Sequence, residues 1–238
     1  MNSLIVIPTY NEKENIPLLL NEILAASAKA SMDVEVLVVD DNSPDGTGQI
    51  VKNFGNQKVH LLHREKKQGL GKAYLAGFAW ALQKDYDVVF EMDADFSHRP
   101  ADLINMLQNF STHDFVLGSR YIAGGATKNW GVLRKIISRG GGLYSRLILG
   151  FPVQDWTGGF NGWKRHVLQG IGLQDVQSEG YSFQIELKYR ALKNGFKGKE
   201  IPILFEDRRV GQSKMSLKIV LEAFYRVWAI RFNVRGND

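Results

Sequence analysis

The first half of the chain alternates short apolar runs, which are typical of buried strands, with longer amphipathic runs, which are typical of helices. The strand-like runs cover 4–7, 34–39, 59–63, 86–92 and 114–117, and the helix-like runs cover 15–30, 47–54, 71–84 and 101–110. Successive parallel strands need a crossover connection, usually a helix, so this order predicts an α/β fold with a mostly parallel central sheet and helices on both faces. With 238 residues, 44% of them hydrophobic, the chain is long enough to form such a domain with a sizeable core.

Polar clusters follow three of the predicted strands, at the point where each strand ends. They are residues 8–12, 40–47 and 93–95. The carboxyl ends of parallel strands lie at one edge of a sheet, where open α/β proteins bind their ligands, so the clusters should meet in one crevice. Tyr10 offers a ring on which a base can stack, and the carboxylates can accept hydrogen bonds from the N–H groups of that base. The sequence therefore predicts a nucleotide site at this edge.

The segment 91–98 carries carboxylates and a hydroxyl directly after a strand-like run. If the chain stays extended there, alternation points Asp93, Asp95 and Ser97 to the same side. Oxygen ligands of this kind suit a hard divalent cation such as Mg²⁺ or Mn²⁺, which also binds substrate phosphates. A solvated acidic turn is the alternative for an isolated Asp-x-Asp pair, and the two neighbouring clusters favour the metal site.

The second half of the chain contains a basic and apolar stretch between 132 and 150 that has no acidic residue. This stretch can be a core helix whose arginines extend to solvent, or a helix that lies on an anionic membrane surface. A glycine-rich loop follows at 155–162, and a cationic loop at 208–214 is suited to binding phosphates. A last amphipathic helix is predicted for 216–232.

The composition restricts the cellular location and the binding partners that are expected for this chain. The chain has no cysteine, which excludes disulfides and thiolate metal sites, and its net charge of +5 is only mildly basic. We identify no signal peptide and no run of about 18–20 apolar residues, so neither secretion nor a spanning helix is expected. The predicted location is the cytoplasm, and no nucleic acid is expected as a partner.

Five motifs together resemble those of the family 2 glycosyltransferases of the GT-A fold, in particular the dolichol-phosphate (polyprenol-phosphate) mannose synthases. They are residues 8–12 (PTYNE), 39–47 (VDDNSPDGT), 93–95 (DAD), 118–121 (GSRY) and 208–214 (RRVGQSK). The resemblance extends over nearly the whole chain and implies a single GT-A catalytic domain, 1–238. Its first half, 1–118, would bind the nucleotide sugar. Its second half, 119–238, would bind the acceptor lipid phosphate and includes the C-terminal amphipathic helix.

The resemblance also implies roles for individual residues. The base and ribose of GDP would be bound by Pro8, Tyr10, Glu12, Val39 and Asp41. The diphosphate and sugar would be contacted by Asp93, Ala94, Asp95, Arg120, Arg208 and Lys214, and the metal ligands would be Asp95 and Ser97. The phosphate of the acceptor would be bound by Arg120, Arg134 and Ser138, and the catalytic residues would be Asp93, Asp95 and Arg120. Some relatives carry Gln at the position of Ser97, and a hydroxyl is a weaker ligand than an amide oxygen.

The implied reaction is an inverting transfer of mannose from GDP-mannose to a polyprenyl (dolichyl) phosphate, which yields polyprenyl-phosphate mannose and GDP. A divalent cation, Arg208 and Lys214 would stabilise the negative charge that develops on GDP. The resemblance also implies peripheral attachment to the cytoplasmic face of a membrane surface, directly or through a small membrane-anchoring subunit. Three alternatives stay open: glucosyl transfer from UDP-glucose to the same lipid class, a soluble or protein acceptor for which Asp155 would be the base, and a non-catalytic nucleotide-sugar-binding protein.

Overall fold

The computed structural model describes residues 1–207, 217–234 and 236 of the chain. The strands are β1 (Ser3–Thr9), β2 (Val34–Asp40), β3 (Val59–His63), β4 (Val88–Glu91), β5 (Phe115–Ser119), β6 (Ala126–Lys128), β7 (Asn161–Lys164), β8 (Gly198–Pro202) and β9 (Leu204–Glu206). The helices are α1 (Ile16–Lys29), α2 (Thr47–Lys52), α3 (Leu70–Leu82), α4 (Asp102–Gln108), α5 (Val132–Leu149), α6 (Arg165–Gly170), α7 (Gly180–Lys193) and α8 (Leu217–Asn233). The predicted alternation of strands and helices in the first half is confirmed.

Within the described residues, a seven-stranded sheet forms the centre of the fold, in the order β3-β2-β1-β4-β7-β5-β8. Strand β1 pairs in parallel with β2 and β4, β2 with β3, and β5 with β8. Strand β7 runs antiparallel to both of its neighbours, β4 and β5. The sheet is therefore mostly parallel, as predicted, and the carboxyl ends of β1, β2 and β4 lie side by side.

Strand β7 corrects the prediction of a glycine-rich loop at 155–162, because Asn161 and Gly162 already belong to the sheet. Gly162 lies against Phe90 on β4, where an added Cβ would come within 2.5 Å of the ring. Glycine weakens a strand unless another group approaches closely, and here the ring of Phe90 fills the space of the missing side chain. Pairing with strands that are distant in sequence therefore decides this element.

Both faces of the sheet are buried, which explains why β1 and β2 are nearly continuous apolar runs. Along β1, Leu4 and Val6 belong to one core cluster, whereas Ile5 and Ile7 belong to the other. Helix α3 contributes to the first cluster, and helices α1 and α4 contribute to the second. The prediction of helices on both faces is confirmed.

Helix α5, which covers the predicted basic and apolar stretch, lies at the surface of the fold. Along it only Gly142, Ser145 and Leu149 are buried. Val132 and Leu147, by contrast, each expose 74% of their surface. The core-helix interpretation of this stretch is therefore wrong, because the helix contacts the body of the fold through small residues and turns several large apolar side chains outward.

Helix α8 packs against α5 and shares this surface. The ring of Tyr144 on α5 lies 4.3 Å from the ring of Phe224 on α8, and the Tyr144 hydroxyl donates to the carbonyl oxygen of Phe224 at 3.1 Å. Tyr225 and Phe232 on α8 are about three-quarters exposed. Among the helices of the described residues, none combines the length and the apolarity that crossing a membrane requires.

Candidate active site

The loops after β1 and β2 meet at the carboxyl edge of the sheet. At the end of β1, Thr9 donates from Oγ1 to Oδ1 of Asp40 at 3.1 Å. Further along, the backbone N–H of Glu12 donates to Oγ1 of Thr47 at 3.0 Å. The predicted convergence of these two polar clusters is confirmed, because side chains of one loop hold the backbone of the other.

Cations that follow β3 contact both of these loops. Arg64 Nη1 donates to Oδ1 of Asp41 at 2.6 Å, and the backbone N–H of Gln68 donates to Oδ2 at 3.2 Å. Lys67 Nζ lies 3.8 Å from the ring centroid of Tyr10. Arg64 was not among the predicted nucleotide residues, although its position directly after β3 places it at the same edge of the sheet.

The segment after β4 turns immediately instead of staying extended. The two residues before Phe96 form a turn, and Phe96 itself has a φ of 63°, in the left-handed region that non-glycine residues rarely adopt. Asp95 closes the turn, since its Oδ1 accepts from the backbone N–H of Ser97 at 3.1 Å. Asp93 accepts instead from the Tyr74 hydroxyl at 3.2 Å. The prediction that alternation in an extended chain aligns these side chains is therefore wrong.

Asp95 and Ser97 nevertheless fit a divalent cation. Both are buried, and the hydroxyl of Ser97 has no hydrogen-bond partner among the residues that the structure describes. A buried polar atom without a partner is costly, and a bound cation would satisfy it. In the same part of the chain, no group of three or more His, Asp or Glu side chains surrounds a common point. This donor set suits an ion that shares its coordination with substrate phosphates.

His98 stabilises this turn from the protein interior. Its Nδ1 accepts a hydrogen bond from the backbone N–H of Asp93 at 3.1 Å. Its ring stacks on Phe160 with a centroid distance of 4.9 Å. Burial lowers the pKa of His98 to about 4, so the ring is neutral at neutral pH and keeps its acceptor nitrogen.

Arg120 and Asp155 form a buried ion pair next to this turn. Arg120 donates from Nε and Nη2 to the two carboxylate oxygens at 2.7 and 2.6 Å, and from its backbone N–H at 3.0 Å. The backbone N–H of Gly158 donates to the same carboxylate at 3.0 Å. Burial alone would raise the pKa of Asp155, but the guanidinium of Arg120 outweighs it and the pKa lies below its usual range. An ionised carboxylate that already accepts these hydrogen bonds is a poor general base.

Lys188 on α7 stabilises the same loop from the protein interior. It is fully buried, and its Nζ donates to the carbonyl oxygens of Asp155, Trp156 and Gly158 at 2.8, 3.1 and 2.8 Å. Burial lowers the pKa of Lys188 to about 8. Lys188 was not predicted from the sequence, because no motif surrounds it.

A further buried carboxylate lies at the end of β4. Glu91 accepts from Trp163 Nε1 at 2.6 Å and from Gln184 Nε2, and the Gln184 oxygen accepts from Asn161 Nδ2 at 2.8 Å. Burial raises the pKa of Glu91 from 4.5 to about 7. Between these values the folded protein holds a proton that the unfolded chain has released, so the free energy of unfolding falls as the pH rises through this window.

We expect this carboxyl to lower the free energy of unfolding by about 3 kcal/mol between pH 4.5 and 7, at 1.36 kcal/mol per pKa unit. Glu91→Gln removes this contribution, so between pH 4.5 and 7 its free energy of urea unfolding should rise relative to that of the unmodified protein. Glu14→Gln, a change at an exposed position, is the matched control and should keep the original dependence. Identical pH profiles for Glu91→Gln and the unmodified protein would contradict the raised pKa.

The predicted acceptor residues come together around two aromatic rings. Ser138 on α5 accepts from the Tyr121 hydroxyl at 2.6 Å. The guanidinium of Arg134, one turn earlier on α5, lies 4.0 Å from the ring centroid of Trp130, and that of Arg120 lies 5.3 Å from the same ring. Trp130 was not singled out from the sequence, and its role is visible only because both arginines share its ring.

Some of the remaining predicted site residues lie in the part of the chain that the structure describes, and others lie outside it. Pro8 and Val39 face each other in the pairing of β1 with β2, and Ala94 is buried in the turn after β4. Arg208 and Lys214 lie outside the described residues. Arg208 directly follows Asp207, whose carboxylate pairs with Arg134 at 2.9 Å. The ligand contacts assigned to all of these residues stay predictions.

Two comparisons concern the sequence. Residues 4–172 match the profile of Glycosyl transferase family 2. Polyprenol monophosphomannose synthase of Mycolicibacterium smegmatis is 45% identical over 235 residues, which cover 96% of this chain and 87% of that protein. Undecaprenyl-phosphate mannosyltransferase of Micrococcus luteus is 44% identical over 240 residues, which cover 99% of this chain and 97% of that protein.

A third comparison concerns the fold. Glucosyl-3-phosphoglycerate synthase from Mycobacterium tuberculosis, in complex with Mn²⁺, uridine diphosphate and phosphoglyceric acid, matches with a TM-score of 0.69 at 18% identity. The match covers 100% of this chain and 80% of that chain, and it shows the predicted GT-A fold. Since the family profile covers most of the chain and both relatives align over nearly all of it, the chain belongs to glycosyl transferase family 2, as its motifs predicted.

Proposed function

We propose that this chain transfers mannose from GDP-mannose to a polyprenyl phosphate, with inversion at the anomeric carbon, and releases GDP. The observation that carries the proposal is the cluster of Arg134, Ser138 and Tyr121 on and beside α5, a helix whose outer face is apolar and exposed. Groups that can bind a phosphate thus lie beside a surface that can meet hydrocarbon, which is what a lipid phosphate requires. The names of the two sequence relatives support the same sugar and the same class of acceptor.

The donor would occupy the crevice at the carboxyl edge of the sheet. Its base and ribose would be bound by Pro8, Tyr10, Glu12, Val39 and Asp41. Its diphosphate and sugar would be contacted by Asp93, Ala94, Asp95, Arg120, Arg208 and Lys214. Asp95 and Ser97 would hold Mg²⁺ or Mn²⁺, which when bound neutralises the charge that develops on the departing diphosphate. Arg208 and Lys214 would add positive charge at the same place.

The nucleophile would be an oxygen of the lipid phosphate. A phosphate monoester has its second pKa near ~6, so it is mostly dianionic at neutral pH and needs no general base. It does need cations that hold it against another anion, and Arg134 at the edge of α5 is suited to that role. The burial of Asp155 in its pair with Arg120 supports this chemistry over a hydroxyl acceptor. Both oxygens of the carboxylate already accept hydrogen bonds from Arg120, so neither is available to take a proton from a hydroxyl group.

The membrane would be approached by helices α5 and α8. Their exposed apolar side chains include Leu133, Ile136, Leu143, Tyr225 and Trp228. A helix with such a face and a basic flank lies in the interface of a bilayer with its apolar side down. This arrangement supports peripheral attachment to a membrane. We assign the attachment to the cytoplasmic face, directly or through an anchoring subunit.

The proposal is tested by incubating the protein with labelled GDP-mannose, Mg²⁺ or Mn²⁺ and a short polyprenyl phosphate. The expected product is a mannosyl lipid phosphate with the β configuration. UDP-glucose serves as the competing donor and should be turned over much more slowly. Lack of transfer from either sugar nucleotide, together with binding of GDP-mannose, would instead favour the non-catalytic alternative.

Arg134→Ala should weaken recognition of the acceptor by about 1.5–3 kcal/mol, roughly ten- to hundredfold, because one charge-assisted contact to a phosphate is lost. Arg134→Lys should restore only part of it, since lysine keeps the charge but lacks the planar fork. The affinity for GDP-mannose, measured calorimetrically without lipid, should barely change. Arg208→Ala should show the opposite pattern, with weaker donor binding. Loss of donor affinity in Arg134→Ala, with acceptor affinity unchanged, would reverse the two assignments.

A further inference from the structure

A cavity of about 280 Å³ lies on one flank of α5 and shares Tyr121 with the acceptor cluster, whereas Arg134 and Ser138 do not line it. Its lining residues are Tyr121, Arg139, Gly140, Gly142, Leu143, Arg146 and Gln154. The volume lies near the lower end of the usual range for small-molecule sites, about 300–1,000 Å³, and so suits a small polar group. The floor is tight because α5 approaches the following loop closely, and an added Cβ on Gly142 would come within 2.9 Å of the Gln154 carbonyl oxygen.

The two arginines of this cavity differ from the other arginines near the site. Arg120 and Arg134 each pair with a carboxylate at 2.6 and 2.9 Å. In the part of the chain that the structure describes, the guanidinium groups of Arg139 and Arg146 form neither an ion pair nor a hydrogen bond. Arg139 only approaches the ring of Tyr121, at 5.7 Å from its centroid. Guanidinium groups in a concave site without a carboxylate partner favour an anion, and above all a phosphate.

The position of the cavity on α5 indicates which kind of molecule carries this phosphate. Val132, Ile136, Leu143 and Leu147 are exposed and recur at helical spacing, so they form one outward apolar stripe. Arg139 and Arg146, seven residues apart, lie along one edge of this stripe, whereas Tyr144, which contacts α8, lies along the other edge. When the stripe faces hydrocarbon, the two arginines are at the level of the lipid headgroups.

We infer that this cavity binds the phosphate of an anionic phospholipid headgroup, separately from the acceptor phosphate. Arg139 and Arg146 supply the charge, and Gln154 and Tyr121 line the remaining wall. The bound phospholipid seats α5 in the interface and brings Arg134 and Ser138 to the depth of the phosphate of the polyprenyl acceptor. The inference rests on the proposed function, since it assigns a second lipid to the same membrane-facing helix.

The test compares binding to phosphatidylcholine vesicles that contain or lack phosphatidylglycerol. The variants are Arg139→Gln and Arg146→Gln, and Lys135→Gln is the matched control, since it removes one exposed cation from α5 outside the cavity. Loss of a single basic residue at an anionic surface should weaken binding about fivefold, which is the result expected for the control. The two arginine variants should lose at least about tenfold on vesicles with phosphatidylglycerol. Equal losses in all three variants would overturn the cavity as a site.

Two further measurements are needed. One distinguishes a lipid phosphate from free inorganic phosphate, and the other distinguishes failure of this inference from failure of the proposed function. A monomeric short-chain phosphatidylglycerol should bind to the protein in calorimetry and Arg146→Gln should abolish that binding, whereas inorganic phosphate should bind far more weakly. Equal affinity for inorganic phosphate would overturn the assignment to a lipid. Without vesicles, Arg146→Gln should transfer mannose to a short polyprenyl phosphate at the unmodified rate. If the unmodified protein transfers no mannose, the proposed function fails, while the vesicle and calorimetric results still decide the phospholipid site.

Discussion

Replacing Asp95 with asparagine is expected to slow mannosyl transfer by at least about a hundredfold, and Asp95→Ala should abolish it. Loss of one group that stabilises developing charge typically costs a factor of about 10²–10³, and here a metal ligand is lost with it. Asparagine keeps an oxygen for the backbone N–H of Ser97, which Asp95 now accepts at 3.1 Å, so the turn should survive. The measurement is the initial rate with labelled GDP-mannose across a range of Mn²⁺ concentrations.

The control for this experiment is Asp33→Asn, which removes an exposed carboxylate that pairs, within the described part of the chain, with the exposed Lys58. Its transfer rate and metal dependence should match those of the unmodified protein. Ser97→Ala should raise the Mn²⁺ concentration needed for half-maximal rate, because a buried hydroxyl without another partner in the described residues would be lost as a ligand. Full activity of Asp95→Asn in chelator-treated buffer would rule out the metal site at this turn.

Asp155→Asn should lower the free energy of unfolding by about 3–5 kcal/mol, which is typical when one partner of a buried ion pair is removed. The amide would present N–H groups to donors of Arg120 and remove the negative charge that the side chain of Arg120, which is 6% exposed, pairs with. For a domain of this size each kcal/mol shifts the melting temperature by about 2–4 °C, so a decrease of about 6–20 °C is expected in a thermal scan.

A double-mutant cycle distinguishes this structural role from a catalytic one. Removing both charges in Asp155→Asn/Arg120→Met should cost clearly less than the sum of the two single changes, because the remaining charge is no longer buried alone. If Asp155→Asn were as stable as the unmodified protein but inactive, Asp155 would act as the general base, and an acceptor with a hydroxyl group would have to be reconsidered.

The fold class and the family could be predicted because they depend on local patterns. Apolar runs that alternate with amphipathic ones specify strands and helices, and the carboxyl-edge rule then brings the loops after β1, β2 and β4 together. The contact of Thr9 with Asp40 and that of Glu12 with Thr47 agree with this rule. The motif at 93–95 was found in the same way, since its position after a strand is a property of the sequence alone.

Two features could not be predicted from those patterns, one set by contacts between distant residues and the other by a local hydrogen bond. Strand β7 exists because β4 and β5 provide partners for residues that otherwise read as a glycine-rich loop. The turn at Phe96 replaces an extended segment, because the Asp95 carboxylate accepts a hydrogen bond from the chain two residues later. Neither outcome changes the local hydrophobic pattern from which the elements were predicted.

The sequence by itself determined that this chain is an α/β glycosyltransferase of family 2 with an acidic motif at the edge of its sheet. Only the tertiary structure decided that Arg120 and Asp155 pair in the interior, that Lys188 stabilises their loop and that α5 exposes its apolar face. The physical reason is that the free energy of a charge or an apolar side chain depends on what surrounds it. Packing between elements that are distant in sequence determines those surroundings, whereas residue type and spacing only restrict them.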